Sequence, residues 1–177
     1  IRPHISLRTL RLNCLADAYA DLWRDCWDPS FTRDTWTGGL AHARRRPLGG
    51  IGPEWTADTP LRTAADRRQG LVEIDALVAL AFGLSADQLC TIYRTQFPVL
   101  YGYDRNRDFY DVNGRLVPNS VLTVFRKKGE RLSAEERTAT NQAGNTYTYE
   151  LPFVTLDREA DMRKAYAHFE LLLAERS

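Results

Sequence analysis

The sequence has no apolar stretch approaching the roughly 18 residues of a membrane-spanning helix. It also has no basic segment leading into an apolar one, so no secretory leader is read from it. Cysteine is scarce: there are three, an odd number, and none forms a CxxC pair. Cys14 and Cys26 fall twelve positions apart on one expected helix, about 18 Å along its axis. A disulfide needs Cα atoms within about 7 Å, so that pair is excluded if the helix is intact. Histidine is equally sparse. His4, His42 and His168 match no metal-ligand spacing, and no Ser-His-Asp or Cys-His site can be assembled from them. There is no P-loop and no GxGxxG. With 24 Lys and Arg against 23 Asp and Glu, the net charge is +1, so bulk charge announces no nucleic-acid partner. The absences together predict a cytoplasmic chain with reduced thiols and no membrane contact. They also predict no catalytic residue, no metal and no cofactor in this segment.

What is present reads as one domain over residues 1–177, expected to be a fragment of a larger protein because it starts at Ile1. A hydrophobic content of 44% is ordinary for a globular chain and supports a core without staples. The expected fold is mainly α with a small antiparallel hairpin. Leu12, Leu15, Tyr19, Leu22, Trp23 and Cys26 recur at helical spacing and predict a helix over 7–27, which Pro29 ends. Residues 28–63 have no sustained period; they hold four prolines, several glycines, Trp36, Trp55 and Arg44-Arg45-Arg46. An irregular but partly anchored basic and aromatic loop is expected there, with a short helix near 38–45. The strongest helix is 64–82, with Leu71, Ile74, Leu77 and Val78 read as core together with Leu89 of the next helix. Gly83 closes it, and Ser85 with Gln88 forms a capping box for a helix over 86–96. Asn113-Gly114 between apolar runs predicts a hairpin turn, and Val121–Phe125 a further strand. Ser133 with Glu136 predicts a short helix over 133–140. A loop follows over 141–153, and then a final helix over 157–176.

Several motifs invite chemistry and are better explained as structure. Asp17, Asp21 and Asp25 at i, i+4 steps suggest a metal, but like charges at that spacing form a solvated face. Asp104, Asn106 and Asp108 begin like a calcium loop, yet Phe109 and Arg115 occupy the positions that need glycine and a carboxylate. Residues 75–92 carry a helix-turn-helix pattern, with Val78, Phe82, Leu84 and Ile92 at its core positions. Any tightly joined helix pair gives the same pattern, so it reads as packing. Glu73 and Asp75, two residues apart, face different sides of one helix, which suits pairing with an arginine or a loop better than acid catalysis. Basic residues are unevenly spread, with a net +3 over 44–68 and +4 over 115–131. Arg44, Arg45, Arg46, Arg126, Lys127 and Lys128 are therefore the candidate nucleic-acid contacts.

The words Pro60-Leu61-Arg62, Asp66-Arg67-Arg68-Gln69, Glu73-Ile74-Asp75-Ala76-Leu77-Val78-Ala79 and Gly83-Leu84 carry a resemblance. So do Tyr93 to Leu100, Asp111 to Pro118 and Tyr147 to Arg163. The chain resembles the C-terminal part of bacterial restriction–modification proteins of the type IIG kind, in which an N6-adenine DNA methyltransferase domain precedes helical and target-recognition regions. That family's Asn-Pro-Pro-Tyr tetrapeptide and glycine-rich cofactor loop have no counterpart here, so no catalytic or cofactor residue is carried over. The resemblance implies that S-adenosylmethionine and double-stranded DNA belong to the parent protein. This segment would then be a non-catalytic DNA-orienting or scaffold domain in a restriction–modification or phage-defence system. The alternative is a module that docks the parent onto other defence proteins without touching DNA.

Overall fold

The computed structural model describes residues 1–38 and 45–175. Within them the protein is mainly helical, with seven α-helices and one two-stranded antiparallel sheet. Arg44, His42 and the short helix expected around 38–45 lie outside the described residues, apart from Gly38 and Arg45, which are not helical.

The helix expected over 7–27 is two helices, α1 (Arg2–Asn13) and α2 (Ala20–Cys26), joined through a 3-10 turn at Asp17–Tyr19. The break falls where loop side chains capture carbonyls. Arg67 Nη1 donates to Leu12 O (3.0 Å), Trp55 Nε1 to Cys14 O (2.9 Å) and Arg62 Nη1 to Leu15 O (3.2 Å). Cys14 is buried there, Cys26 is exposed, and all three cysteines are free thiols. The segment after α2 is anchored, as expected from its tryptophans. A 3-10 turn at Pro29–Arg33 and residues 45–63 cover a core of Leu7, Cys14, Trp23, Phe31 and Leu48, with Trp27, Trp36 and Trp55 packed around it.

α3 (Ala64–Ala81) is the central helix and packs on α1, α4 and α7. Thr63 caps it by accepting from Asp66 N. Gly83, at φ +68°, closes it in the left-handed region that glycine tolerates. The Ser85–Gln88 box then opens α4 (Ala86–Gln96), with Gln88 accepting from Ser85 N and Ser85 from Gln88 N. α5 (Pro98–Asn106) follows at once, with proline at its first position, where a missing N–H costs nothing. Leu77 and Leu89 are buried as expected, but Leu71 and Val78 are not: they remain 48% and 38% exposed. The core side of α3 carries Val72, Ala76 and Ala79, because α7 lies on that face.

The second half departs further from expectation. Residues 121–125 are not a strand but the middle of α6 (Asn119–Lys128). Val121 and Leu122 are buried one turn before Phe125, while Asn119, Ser120, Thr123, Arg126 and Lys127 are exposed. That is a helical period, and tertiary packing selects it over the β propensity of Val-Leu-Thr-Val-Phe. The Ser133–Glu136 capping bonds form, yet they close only a 3-10 turn at Glu135–Arg137. The chain then enters a hairpin, β1 (Thr138–Thr140) and β2 (Thr146–Thr148), where a helix end and a loop were expected. Asn113-Gly114 makes the expected turn. It closes through Tyr110–Leu116 bridging and Asp111 Oδ1, which accepts from Asn113 N and Arg115 N. Gly114, at φ +75°, sits against α3, where a Cβ would meet Thr63 Oγ1 at 3.1 Å. α7 (Arg158–Ala174) completes the main core with Met162, Ala165 and Phe169. No described helix is long and apolar enough to cross a membrane.

Candidate interaction surfaces

The first constellation is buried. Arg8 on α1 is fully enclosed and gives Nε–H to Glu73 Oε2 (2.6 Å) and Nη1–H to Asp34 Oδ2 (2.8 Å) and His4 O (2.9 Å). Glu73 Oε1 accepts from Thr37 N, Thr37 Oγ1 and Gln69 Nε2. Glu73 therefore pairs with an arginine and fixes a loop, the structural role its spacing suggested. His4 Nδ1 lies 2.8 Å from Asp34 Oδ2. Burial pushes the Asp34 carboxyl up, but the His4 hydrogen bond and the Arg8 charge outweigh it and hold the group below the usual carboxylate range. A cavity of about 360 Å³ opens beside His4, lined also by Ser30, Arg33 and His168. Among the described residues His4 Nε2 and Ser30 Oγ are both without hydrogen-bond partners, so the histidine is not bonded to the serine as a nucleophile–base pair requires.

The described arginines of the 44–68 segment, Arg45, Arg46, Arg62, Arg67 and Arg68, are all engaged by groups of this chain. Arg45 stacks over Trp36, donates to Gly38 O and lies 3.2 Å from Asp66; its side chain is buried. Arg46 is exposed but pairs with Asp58. Arg68 bridges to Asp161 (2.6 Å), and Arg62 and Arg67 serve backbone carbonyls. Arg11, outside that run, donates to the carbonyls of Pro47, Leu48, Asp58 and Thr59. Burial lowers its guanidinium to about 10, still charged at neutral pH. An irregular loop has carbonyls that no ladder satisfies, and arginine is the side chain with enough donors to serve them. The acidic elements are used similarly. Asp104 is buried and accepts from Tyr93 Oη (2.8 Å) and Arg158 Nε (2.5 Å). Asp17, Asp21 and Asp25 are exposed. Among the described residues no group of three or more His, Cys, Asp or Glu is placed to hold a metal.

Arg126, Lys127 and Lys128 present a different picture. They form the last turn of α6, all exposed. Lys128 pairs with Glu136, while Arg126 and Lys127 make no ion pair among the described residues. Arg126 and Lys127, with Asn119, Ser120 and Thr123, make a face of hydrogen-bonding and cationic side chains on which α6 carries no carboxylate. The β1–β2 hairpin adjoins α6 through β1, with Ala139 and Tyr147 packed against the apolar cluster that includes Val121 and Leu122. It turns Thr138, Thr140, Thr146 and Thr148 outward, paired hydroxyl to hydroxyl at 2.8 Å. The neutral part of this face was missed in the sequence because 121–125 read as a strand. The signal was there in Pro118 followed by polar residues at 119, 120, 123, 126 and 127.

A third surface is apolar. The helix-turn-helix reading put Val78, Phe82 and Ile92 in a core; instead they are 38%, 78% and 39% exposed. Leu71, Asp75, Leu89, Ile92, Phe97 and Leu100 line a groove of about 350 Å³ with Tyr93, Arg158 and Met162 at its base. Burial pushes the Asp75 carboxyl up, only partly countered by the Arg158 charge, and among the described residues the Asp75 side chain has no hydrogen bond or ion pair. Compared with protein-family models, with curated proteins and with solved structures, the chain has no match.

Proposed function

We propose that this chain is a non-catalytic domain that orients double-stranded DNA for a DNA-modifying protein of the restriction–modification kind. The observation that carries the reading is the carboxylate-free face of α6, ending in the unpaired Arg126 and Lys127 beside an outward-facing threonine hairpin. Phosphate contacts position a protein on a duplex, and hydrogen-bonding side chains on the same helix face can reach base edges. The resemblance described above supplies the parent's chemistry: S-adenosylmethionine and the methyl transfer belong outside this segment. The expected assay is fluorescence anisotropy with a mixed-sequence duplex over a salt series. About three phosphate contacts give a slope of log K against log salt near −3, and Arg126→Ala with Lys127→Ala flattens it by about two. A slope unchanged by the double variant sinks the reading.

The exposed apolar surface of α3, α4 and α5 favours a second reading, a protein-docking module, since exposed apolar patches mark interaction sites. In that case DNA binding is absent and pull-down of partner proteins depends on Ile92 and Phe97.

A further inference from the structure

The apolar groove has a shape and a charge that together specify an occupant. Along α3, Leu71, Asp75, Val78 and Phe82 follow i, i+4, i+7 and i+11 spacing, one continuous stripe about 16 Å long. Leu71, Val78 and Phe82 of that stripe are exposed. Opposite its start stand Ile92 of α4, Phe97 at the α4–α5 joint and Leu100 of α5, also exposed. The floor is Met162 of α7, buried. An apolar groove bounded by Leu71 and Asp75 on one side and by Ile92, Phe97 and Leu100 on the other, with the exposed stripe continuing beyond it along α3 through Val78 and Phe82, is a form in which folded domains receive an amphipathic helix. Two charged groups line the groove, and they are in opposite situations. Arg158 is spent on Asp104 at 2.5 Å, with its guanidinium over the Tyr93 ring. The Asp75 side chain has no hydrogen bond or ion pair among the described residues, and its position in the stripe desolvates it more than the Arg158 charge offsets. A carboxylate left unpaired on an apolar wall is electrostatically incomplete, and a cation brought in by a ligand completes it.

We propose that the α3–α4–α5 groove binds an amphipathic helix of a partner protein that lays an aliphatic or aromatic row into the trough and places one Lys or Arg against Asp75. The surface is separate from the α6 face, so DNA binding and helix docking stand or fall independently. Asp75 acts as the specificity element: the apolar rows accept any helix of suitable face, and the carboxylate selects those with a flanking cation and rejects those with a flanking acid.

The test uses the whole chain and two labelled synthetic helical peptides, alike in a leucine face, one with a lysine flanking it and the other with glutamate there. The lysine peptide is expected to bind saturably, at least about tenfold tighter than the glutamate peptide. Asp75→Asn should bring the two affinities together, and Asp75→Lys should reverse the preference. Ile92→Ala with Phe97→Ala should weaken both peptides, and these exposed changes leave the core intact. An unchanged circular dichroism melt of each variant separates loss of binding from loss of fold. Equal affinities on the wild-type chain overturn the proposal, as does a lysine preference that survives Asp75→Asn. A concentration-dependent dimer in sedimentation, dissolved by the Ile92 and Phe97 changes, overturns it in favour of a second copy of this chain. Absence of saturable peptide binding overturns it outright.

Discussion

Four arginines in the α1–α3 half of this protein, Arg8, Arg11, Arg45 and Arg68, point inward, whereas the cations that close α6 point out. All four are buried or nearly so, each tied to carboxylates or loop carbonyls. Arg126 and Lys127 are exposed and make no ion pair among the described residues. The two regions have similar local excesses of positive charge in the sequence, +3 over 44–68 and +4 over 115–131. The difference lies in what surrounds them. The N-terminal half contains a long irregular segment whose carbonyls have no helical or strand partner, and guanidinium groups satisfy them. Around the end of α6 the chain is a regular helix and hairpin that largely satisfy their own backbone, so Arg126 and Lys127 are left to solvent or phosphate. A local count of basic residues therefore does not locate a nucleic-acid surface.

The sharpest way to break this comparison is Glu73→Ala. It removes one of the two carboxylates that hold the buried Arg8, leaving Asp34 alone, and strips an acceptor from Thr37 and Gln69, and it should destabilise the fold by roughly 3–5 kcal/mol in urea melts. A loss below about 1 kcal/mol means that the inward arginines are not integral to the N-terminal half. In the C-terminal half the comparable dependence is apolar. Leu122→Ala should cost roughly 2–5 kcal/mol with little dependence on salt. A marked salt dependence of that value blurs the contrast.

Two carboxyls sharpen it further by titrating in opposite senses. Asp34 is held low in the folded state, so the unfolded chain binds protons first as pH falls. Its contribution is present above the ordinary carboxylate value and is lost as pH falls through the folded one. Asp75 is raised, so its ionisation opposes folding. Its contribution is complete below the ordinary value and is lost as pH rises through the folded one. Asp34→Asn should lower the melting temperature at neutral pH and flatten the acid limb. Asp75→Asn should raise it slightly at neutral pH while removing the charge preference of the groove. Melting curves across the acid range check both, and the same direction for both variants refutes the assignment. The smallest effect is expected for Arg126→Ala with Lys127→Ala, within about 0.5 kcal/mol of wild-type stability, as befits exposed cations with no partner. A larger loss in urea melts means the α6 face is structural.

Local chemistry was legible wherever a few adjacent residues decide it. The Ser85–Gln88 box, the left-handed Gly83, the Asn113-Gly114 turn and the start of α7 at Asp157 all follow from neighbours within one helical turn. The Ser133–Glu136 box was also read correctly as a set of bonds, and misread as the start of a longer helix. The candidate surfaces were legible only in part. Arg126, Lys127 and Lys128 could be nominated from charge, but not Asn119, Ser120 and Thr123, because five residues of high β propensity concealed a helical face. Asp75 was visible as a charge in an apolar helix. Its groove was not, because the outward side of α3 is nearly as apolar as its inward side.

By itself, the sequence determined the helical class, the positions of caps and turns, and the centrality of the helix after Thr63, since these depend on contacts a few residues long. Only the tertiary structure decided which face of α3 meets α7, which arginines are consumed by loop carbonyls and whether Val121–Phe125 is helix or strand. Those outcomes rest on partners 26 to 93 positions away, as in Arg8 with Asp34 and Arg68 with Asp161. A pattern of residue types along the chain does not say which distant backbone groups will need a donor. Burial leaves them unsatisfied until the packed fold supplies one.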